Sequence, residues 1–273
     1  MRNLCVAMAT LALAVHAAPA DAQQRVSTGQ SFVAADLVVG KRHADGRREA
    51  GLVLDVRPGW KTYWRTPGEA GVPPHLDWSA SRNVERVDIA WPQPTLFESF
   101  GYLTLGYGGR VVLPLMLTPS EADGPLTLAL DGTLGVCKDI CVFEQLDLSA
   151  DIPAVGDGPA AATIGIARLS VPLSAQEAGI EMEACSIAGA GAERAFTARL
   201  TLPEATQDPF IVLEAPGGAW FERTSVAVSG GAADVTATLR LPEEGGWVDR
   251  SSIVATVLAG PMTAEIKGCT PTG

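Results

Sequence analysis

Apolar and polar residues alternate at every second position through most of this chain, in short runs cut off by Gly, Pro and Asp. That period places side chains on opposite faces of extended strands and gives a helix no continuous apolar stripe. The 29 glycines and 19 prolines are dispersed among the runs, so they read as turns between strands, and an apolar fraction of 47% is enough to fill a core. Leu126, Leu128 and Leu130 share one face, as do Leu146 and Leu148, which gives these strands a buried and a wetter side.

Strands are expected near Ser31–Val39, Gly51–Arg57, Val84–Trp91, Val111–Thr118, Leu126–Gly135 and Val142–Ala150. A second series follows at Ile180–Ile187, Ala195–Leu202, Phe210–Ala215, Arg223–Ser229, Val235–Leu241, Ile253–Leu258 and Met262–Lys267. Between them the composition shifts to Pro, Gly and Ala, the mark of a boundary, and Pro159 can open a short helix towards Leu169. The expected class is all-β, two immunoglobulin-like β-sandwich domains over 23–152 and 170–273, with room for a short linking helix in 153–169.

The first 22 residues read as a leader outside this fold. Arg2 supplies a positive start, Leu4 to Val15 an apolar stretch, and Ala20-Asp21-Ala22 a cleavage site, the pattern of a secretory signal peptide cut before Gln23. No later stretch reaches the ~18 consecutive apolar residues of a spanning helix, so an exported chain that does not span the membrane is expected. A net charge of −11 without a basic run argues against nucleic acid as a partner.

Export gives the cysteines their meaning. Of the five, Cys5 leaves with the leader, and Cys137, Cys141, Cys185 and Cys269 remain for an oxidising compartment that favours disulfides. Along one continuous strand, Cys137 and Cys141 would lie ~13 Å apart, too far to bond. A hairpin loop of Lys138-Asp139-Ile140 would set them opposite each other, and a helical turn is the alternative that the strand-like flanks disfavour. Chain entropy separates the two bridges: closing the short loop is worth ~2 kcal/mol, and joining Cys185 to Cys269 is worth ~4.5 kcal/mol. Cys185–Cys269 is therefore the expected structural staple, and Cys137–Cys141 has the properties of a bond that is made and broken. A permanent structural bond is the competing reading of the short loop.

Metal and hydrolytic chemistries find less support. A four-cysteine zinc site lacks its paired short spacings, and no methionine lies close in sequence to the Cys137–Cys141 pair to favour copper, so no metal site and no cofactor beyond the dithiol are expected. His43 and His75 read as loop residues, and no nucleophile elbow accompanies them. Gly106-Tyr107-Gly108-Gly109 reads as a turn. Trp60, Tyr63 and Trp64 read as core packing beside a turn at Pro67-Gly68, or as a docking face with Lys61 and Arg65. Trp220 and Trp247 carry the same two readings.

The run Gly59-Trp60-Lys61-Thr62-Tyr63-Trp64-Arg65-Thr66-Pro67-Gly68-Glu69-Ala70-Gly71-Val72-Pro73-Pro74, then Trp91-Pro92, then Gly135-Val136-Cys137-Lys138-Asp139-Ile140-Cys141, resembles the N-terminal periplasmic domain of the DsbD and ScsB thiol:disulfide interchange proteins. The resemblance implies an immunoglobulin-like sandwich in the periplasm that relays electrons as a protein thiol:disulfide oxidoreductase. Cys137 and Cys141 would be its redox pair, Cys141 the attacking sulfur, and Phe100 the cap-loop aromatic, with Phe97 and Tyr102 as alternatives. The family's long form continues into a membrane conduit and a thioredoxin domain that are not in these 273 residues. An electron donor on a separate chain, thioredoxin-like or membrane-embedded, is therefore implied, with oxidised periplasmic proteins as acceptors. The competing function is a non-enzymatic periplasmic binding module, for copper or envelope assembly, that holds the short disulfide permanently.

Overall fold

A computed structural model describes residues 31–99, 101–204 and 206–269; the leader expected at 1–22 lies outside them. The first half contains β1 (Val33–Arg42), β2 (Arg48–Val56), β3 (Lys61–Gly68), β4 (His75–Asp77), β5 (Arg86–Ile89), β6 (Thr95–Ser99), β7 (Tyr102–Tyr107), β8 (Arg110–Thr118), β9 (Leu126–Cys137) and β10 (Cys141–Ile152). One sheet runs β1-β2-β8-β5, and the other runs β10-β9-β3-β7-β6, with β4 also paired to β9. The apolar alternation turns one face of each inward, where Leu52, Leu115, Leu128, Trp64 and Val136 are fully buried. At ~1.5–3 kcal/mol per buried large apolar side chain, this layer is what holds the two sheets together.

Helix α1 (Ala161–Arg168) then lies on the first sheet. Its one buried residue, Ile164, sits over Gly40 and Gly51, and a Cβ on Gly40 would come within 2.7 Å of the Ile164 methyl. The missing side chains of these glycines make the groove the helix occupies.

The second half contains β11 (Leu173–Ser174), α2 (Ala175–Ala178), β12 (Glu181–Ala188), β13 (Glu193–Thr201), β14 (Phe210–Glu214), β15 (Trp220–Ser229), β16 (Ala232–Arg240), β17 (Val254–Ala259) and β18 (Met262–Lys267). Its sheets run β11-β18-β17-β14 and β12-β13-β16-β15 around a separate core that includes Phe196, Leu200, Val235, Leu239 and Val257. Both halves are immunoglobulin-like sandwiches of an all-β molecule. The Cys185–Cys269 disulfide joins β12 in one sheet to a cysteine two residues past β18 of the other, with Cα atoms 5.7 Å apart.

The two sandwiches touch. Val212 of β14 is buried in the core cluster of the first, with Phe210 and Leu258 packed against it. Arg65 of β3 reaches across to Glu214 and Glu265.

Several sequence expectations need correction. The turn expected at Pro67-Gly68 comes one step later, at Glu69-Ala70, because β3 runs through Gly68, which takes φ +86° at its end. Gly106 and Tyr107 belong to β7, and only Gly108-Gly109 turns. A Cβ on Gly106 would fall 2.0 Å from the Thr62 carbonyl oxygen, so this glycine serves close strand approach. His75 lies in β4, opposite Thr133, rather than in a loop, though it stays exposed, and His43 is in the loop between β1 and β2 as expected, with its Nε2 3.2 Å from the buried Glu49 carboxylate. Trp220 and Trp247 are exposed rather than core. Trp220 opens an edge strand and donates its indole N–H to Glu222 at 3.0 Å, and Trp247 stands in the turn-rich segment before β17.

Candidate functional site

Strands β9 and β10 form one uninterrupted antiparallel hairpin, from Leu126 opposite Ile152 to Cys137 opposite Cys141. Lys138-Asp139-Ile140 is its loop, closed by a hydrogen bond from the Lys138 amide to the Ile140 carbonyl at 2.9 Å. The cysteines are therefore cross-strand neighbours with Cα atoms 4.1 Å apart, bonded through their sulfurs. Leu134, Val136, Val142 and Leu146 pack on the inner side, which leaves Cys137, Gly135, Cys141 and Phe143 for the outer face of the sheet.

The two sulfurs have different surroundings. Cys137 is buried at 3% exposure, whereas Cys141 is exposed and flanked by Ile140 at 64% and Phe143 at 67%. An approaching molecule meets Cys141 first, within a small apolar apron.

Strand β3 buries Cys137. Lys61 pairs with Cys137 and Thr62 with Val136, after which β3 leaves β9, and β4 takes its place beside Thr133. Period two puts Tyr63 on the same outer face as Lys61 and Cys137. The Tyr63 ring lies across the bare backbone of Gly135, where a Cβ would stand 3.3 Å from it, and its hydroxyl donates to Cys137 Sγ at 3.0 Å. Cys141 Sγ is 4.0 Å from the same oxygen. Burial pushes the Tyr63 phenol up from its ordinary pKa, so it stays protonated and able to donate.

The expected cap residues are spread over the β6–β7 hairpin. Phe100, the first choice, lies outside the described residues. Phe97 is partly buried, with the Lys61 ammonium 5.1 Å above its ring, and Tyr102 is exposed at 53%. Lys61 also donates to Thr104 Oγ1 at 2.8 Å, and Thr104 donates to the Phe97 carbonyl at 3.4 Å, so polar contacts tie this hairpin to the residue opposite Cys137. Burial lowers the Lys61 pKa. Trp64 is buried in the core and Trp60 stacks on Phe32 at 3.8 Å, so both are packing residues. Among the described residues, no group of three His, Cys, Asp or Glu side chains is placed to hold a metal ion.

By sequence alone Tyr63 fits either core packing or a docking face. Its contact with Cys137 depends on β3 pairing with β9, a non-local choice that no short-range pattern announces.

With this geometry in view, the comparisons are specific. Residues 30–152 match the family described as thiol:disulfide interchange protein DsbD, N-terminal. Among solved structures, the chain is similar to the N-terminal periplasmic domain of ScsB from Proteus mirabilis, at 24% identity and a TM-score of 0.61, over 88% of this chain and 92% of that one. No curated protein matches the sequence. Residues 30–152 therefore belong to the DsbD N-terminal family, and the chain shares its fold with the ScsB domain.

Proposed function

We propose that this protein relays electrons in the periplasm by thiol–disulfide exchange at Cys137 and Cys141. The observation that carries the reading is the disulfide at the tip of an unbroken hairpin, with Cys141 exposed and Cys137 buried. A donor thiolate attacks the exposed Cys141, and Cys137 is released as a thiolate. The donor's second thiol then resolves the mixed disulfide, leaving the donor oxidised and the Cys137/Cys141 pair reduced by two electrons. In the forward direction the Cys141 thiolate attacks an oxidised protein, and Cys137 displaces the reduced product. The donor is a thioredoxin-like or membrane-embedded protein on a separate chain, and the acceptors are oxidised periplasmic proteins.

The family of residues 30–152 supports this reading, as do the leader-like residues 1–22. Among the described residues, no helix is long and apolar enough to cross a membrane. Cys185–Cys269 stands apart from the exchange site, as a staple in the second sandwich.

The deciding measurement is the reduction potential of the Cys137–Cys141 couple. A value between about −120 and −270 mV is that of a carrier, whereas one below about −300 mV would make the bond structural and the domain a binding module.

A further inference from the structure

We infer that Tyr63 polarises the Cys137–Cys141 bond, its hydroxyl marking Cys137 as the sulfur that leaves and Cys141 as the sulfur that is attacked. The inference rests on the exchange reading above and adds the residue that gives the exchange its direction.

The geometry is one-sided. The Tyr63 oxygen is 3.0 Å from Cys137 Sγ and 4.0 Å from Cys141 Sγ, and the ring has little freedom to choose otherwise. It lies between two glycines: a Cβ on Gly135 would stand 3.3 Å from the ring, and one on Gly71 would stand 2.8 Å from it. Tyr63 itself is 4% exposed, so few water molecules compete for its hydroxyl.

The chemistry follows from what each sulfur becomes. A disulfide sulfur is a weak acceptor, and a thiolate is a strong one whose hydrogen bonds are roughly twice as strong as neutral pairs. When an external thiolate bonds to Cys141 Sγ, the Cys141–Cys137 bond breaks and its electron pair departs on Cys137. The Tyr63 hydrogen bond strengthens as that charge develops. It therefore stabilises the transition state more than the resting disulfide, which is the condition for acceleration. In the reverse step the same contact holds Cys137 as the thiolate that attacks the mixed disulfide on Cys141. Other charged groups near the pair are Lys61, directed to Thr104, and the exposed loop residues Lys138 and Asp139.

The test is Tyr63→Phe in the full chain, which removes the oxygen and keeps the ring. Reduction by dithiothreitol is expected to slow about tenfold, and the Cys137 thiol, titrated by thiolate absorbance in a Cys141→Ala background, to rise by about one pKa unit. A monothiol adduct mapped by mass spectrometry is expected on Cys141 in the wild type. An unchanged rate and thiol pKa in Tyr63→Phe, or an adduct on Cys137, would overturn the assignment. Fluorotyrosine at position 63 provides a second variant that preserves shape: its more acidic phenol is a better donor and should speed reduction, and an equal or slower rate contradicts the proposal. The two readings fail separately. A potential too low for a carrier sinks the relay while leaving the Tyr63→Phe rate effect in place, and an unchanged rate at a carrier-like potential sinks only the role of Tyr63.

Discussion

The Arg65 guanidinium of the first sandwich is held by the Glu214 carboxylate of the second through paired hydrogen bonds of 2.9 and 2.8 Å. Glu265 binds the same guanidinium, Thr66 donates to Glu214 at 2.6 Å, and the indole of the buried Trp64 lies 4.3 Å beneath Arg65. Burial by itself would weaken the cation, but the two carboxylates reverse that and raise the Arg65 pKa. Arg65 sits on the strand that also supplies Tyr63, so the clasp fixes the second sandwich against the strand that buries Cys137.

Replacing Arg65 by Ala leaves two carboxylates in a partly buried interface without their cation. The expected loss is about 2 kcal/mol, below the value for fully buried pairs because these side chains keep some solvent contact. Differential scanning calorimetry should show a lower first transition and a wider gap between the two sandwiches. A change under about 0.3 kcal/mol would show that the apolar contacts of Val212 and Phe210 hold the interface alone.

Exposure predicts how the two single-cysteine variants behave in cells. Cys137→Ala leaves the open sulfur of Cys141 and should accumulate mixed disulfides with periplasmic partners, seen as reducible bands on non-reducing gels. Cys141→Ala leaves only the buried thiol and should trap several-fold less. Equal trapping by both would mean that burial does not select the attacked sulfur.

The Cys185–Cys269 bridge closes a loop with a sequence separation of 84 between opposite sheets. Cys185→Ser should cost up to about 4 kcal/mol, read as a fall in denaturant midpoint, with dithiothreitol reduction of Cys137–Cys141 unchanged. Loss of exchange in a variant that remains folded would break the division between staple and site.

Gly135 gives the Tyr63 ring its seat. Gly135→Ala puts a methyl 3.3 Å from both Tyr63 and Val72, with an expected cost of about 1–2 kcal/mol from overpacking and a slower reduction as the hydroxyl is moved off Cys137. A variant of unchanged rate would show that the ring shifts without losing its hydrogen bond.

Folding resists ionisation of Tyr63 and Tyr107, because burial raises both phenol pKa values. The stability this contributes is complete below the unfolded value of about 10 and falls as pH rises above it, since only the unfolded chain then releases these protons. Absorbance of tyrosinate at pH 10 to 11, while the protein remains folded, should be the same in Tyr107→Phe as in the wild type. A smaller signal in that variant would show that the Tyr107 phenol ionises in the native state.

Much of this protein is legible along its chain, because strand periodicity, turn residues and short loops are local. The alternation around Leu126 to Leu130 yields β9, Pro159 foreshadows the helix that begins at Ala161, and Lys138-Asp139-Ile140 is a hairpin loop before any fold is known. Strands β3, β6 and β7 are less legible, since their glycines and prolines mimic turns until Gly106 is seen to admit the Thr62 carbonyl.

The sequence by itself determined an all-β chain with a closely spaced cysteine pair whose bond requires a reversal. Only the tertiary structure decided that Cys137 is buried and Cys141 open, that Tyr63 reaches the buried sulfur, and that Arg65 clasps Glu214. The reason is sequence distance: Tyr63 meets Cys137, and Arg65 meets Glu214, through sheet pairing and sandwich packing that bring remote segments together, and a strand's own period names its faces without naming its neighbours.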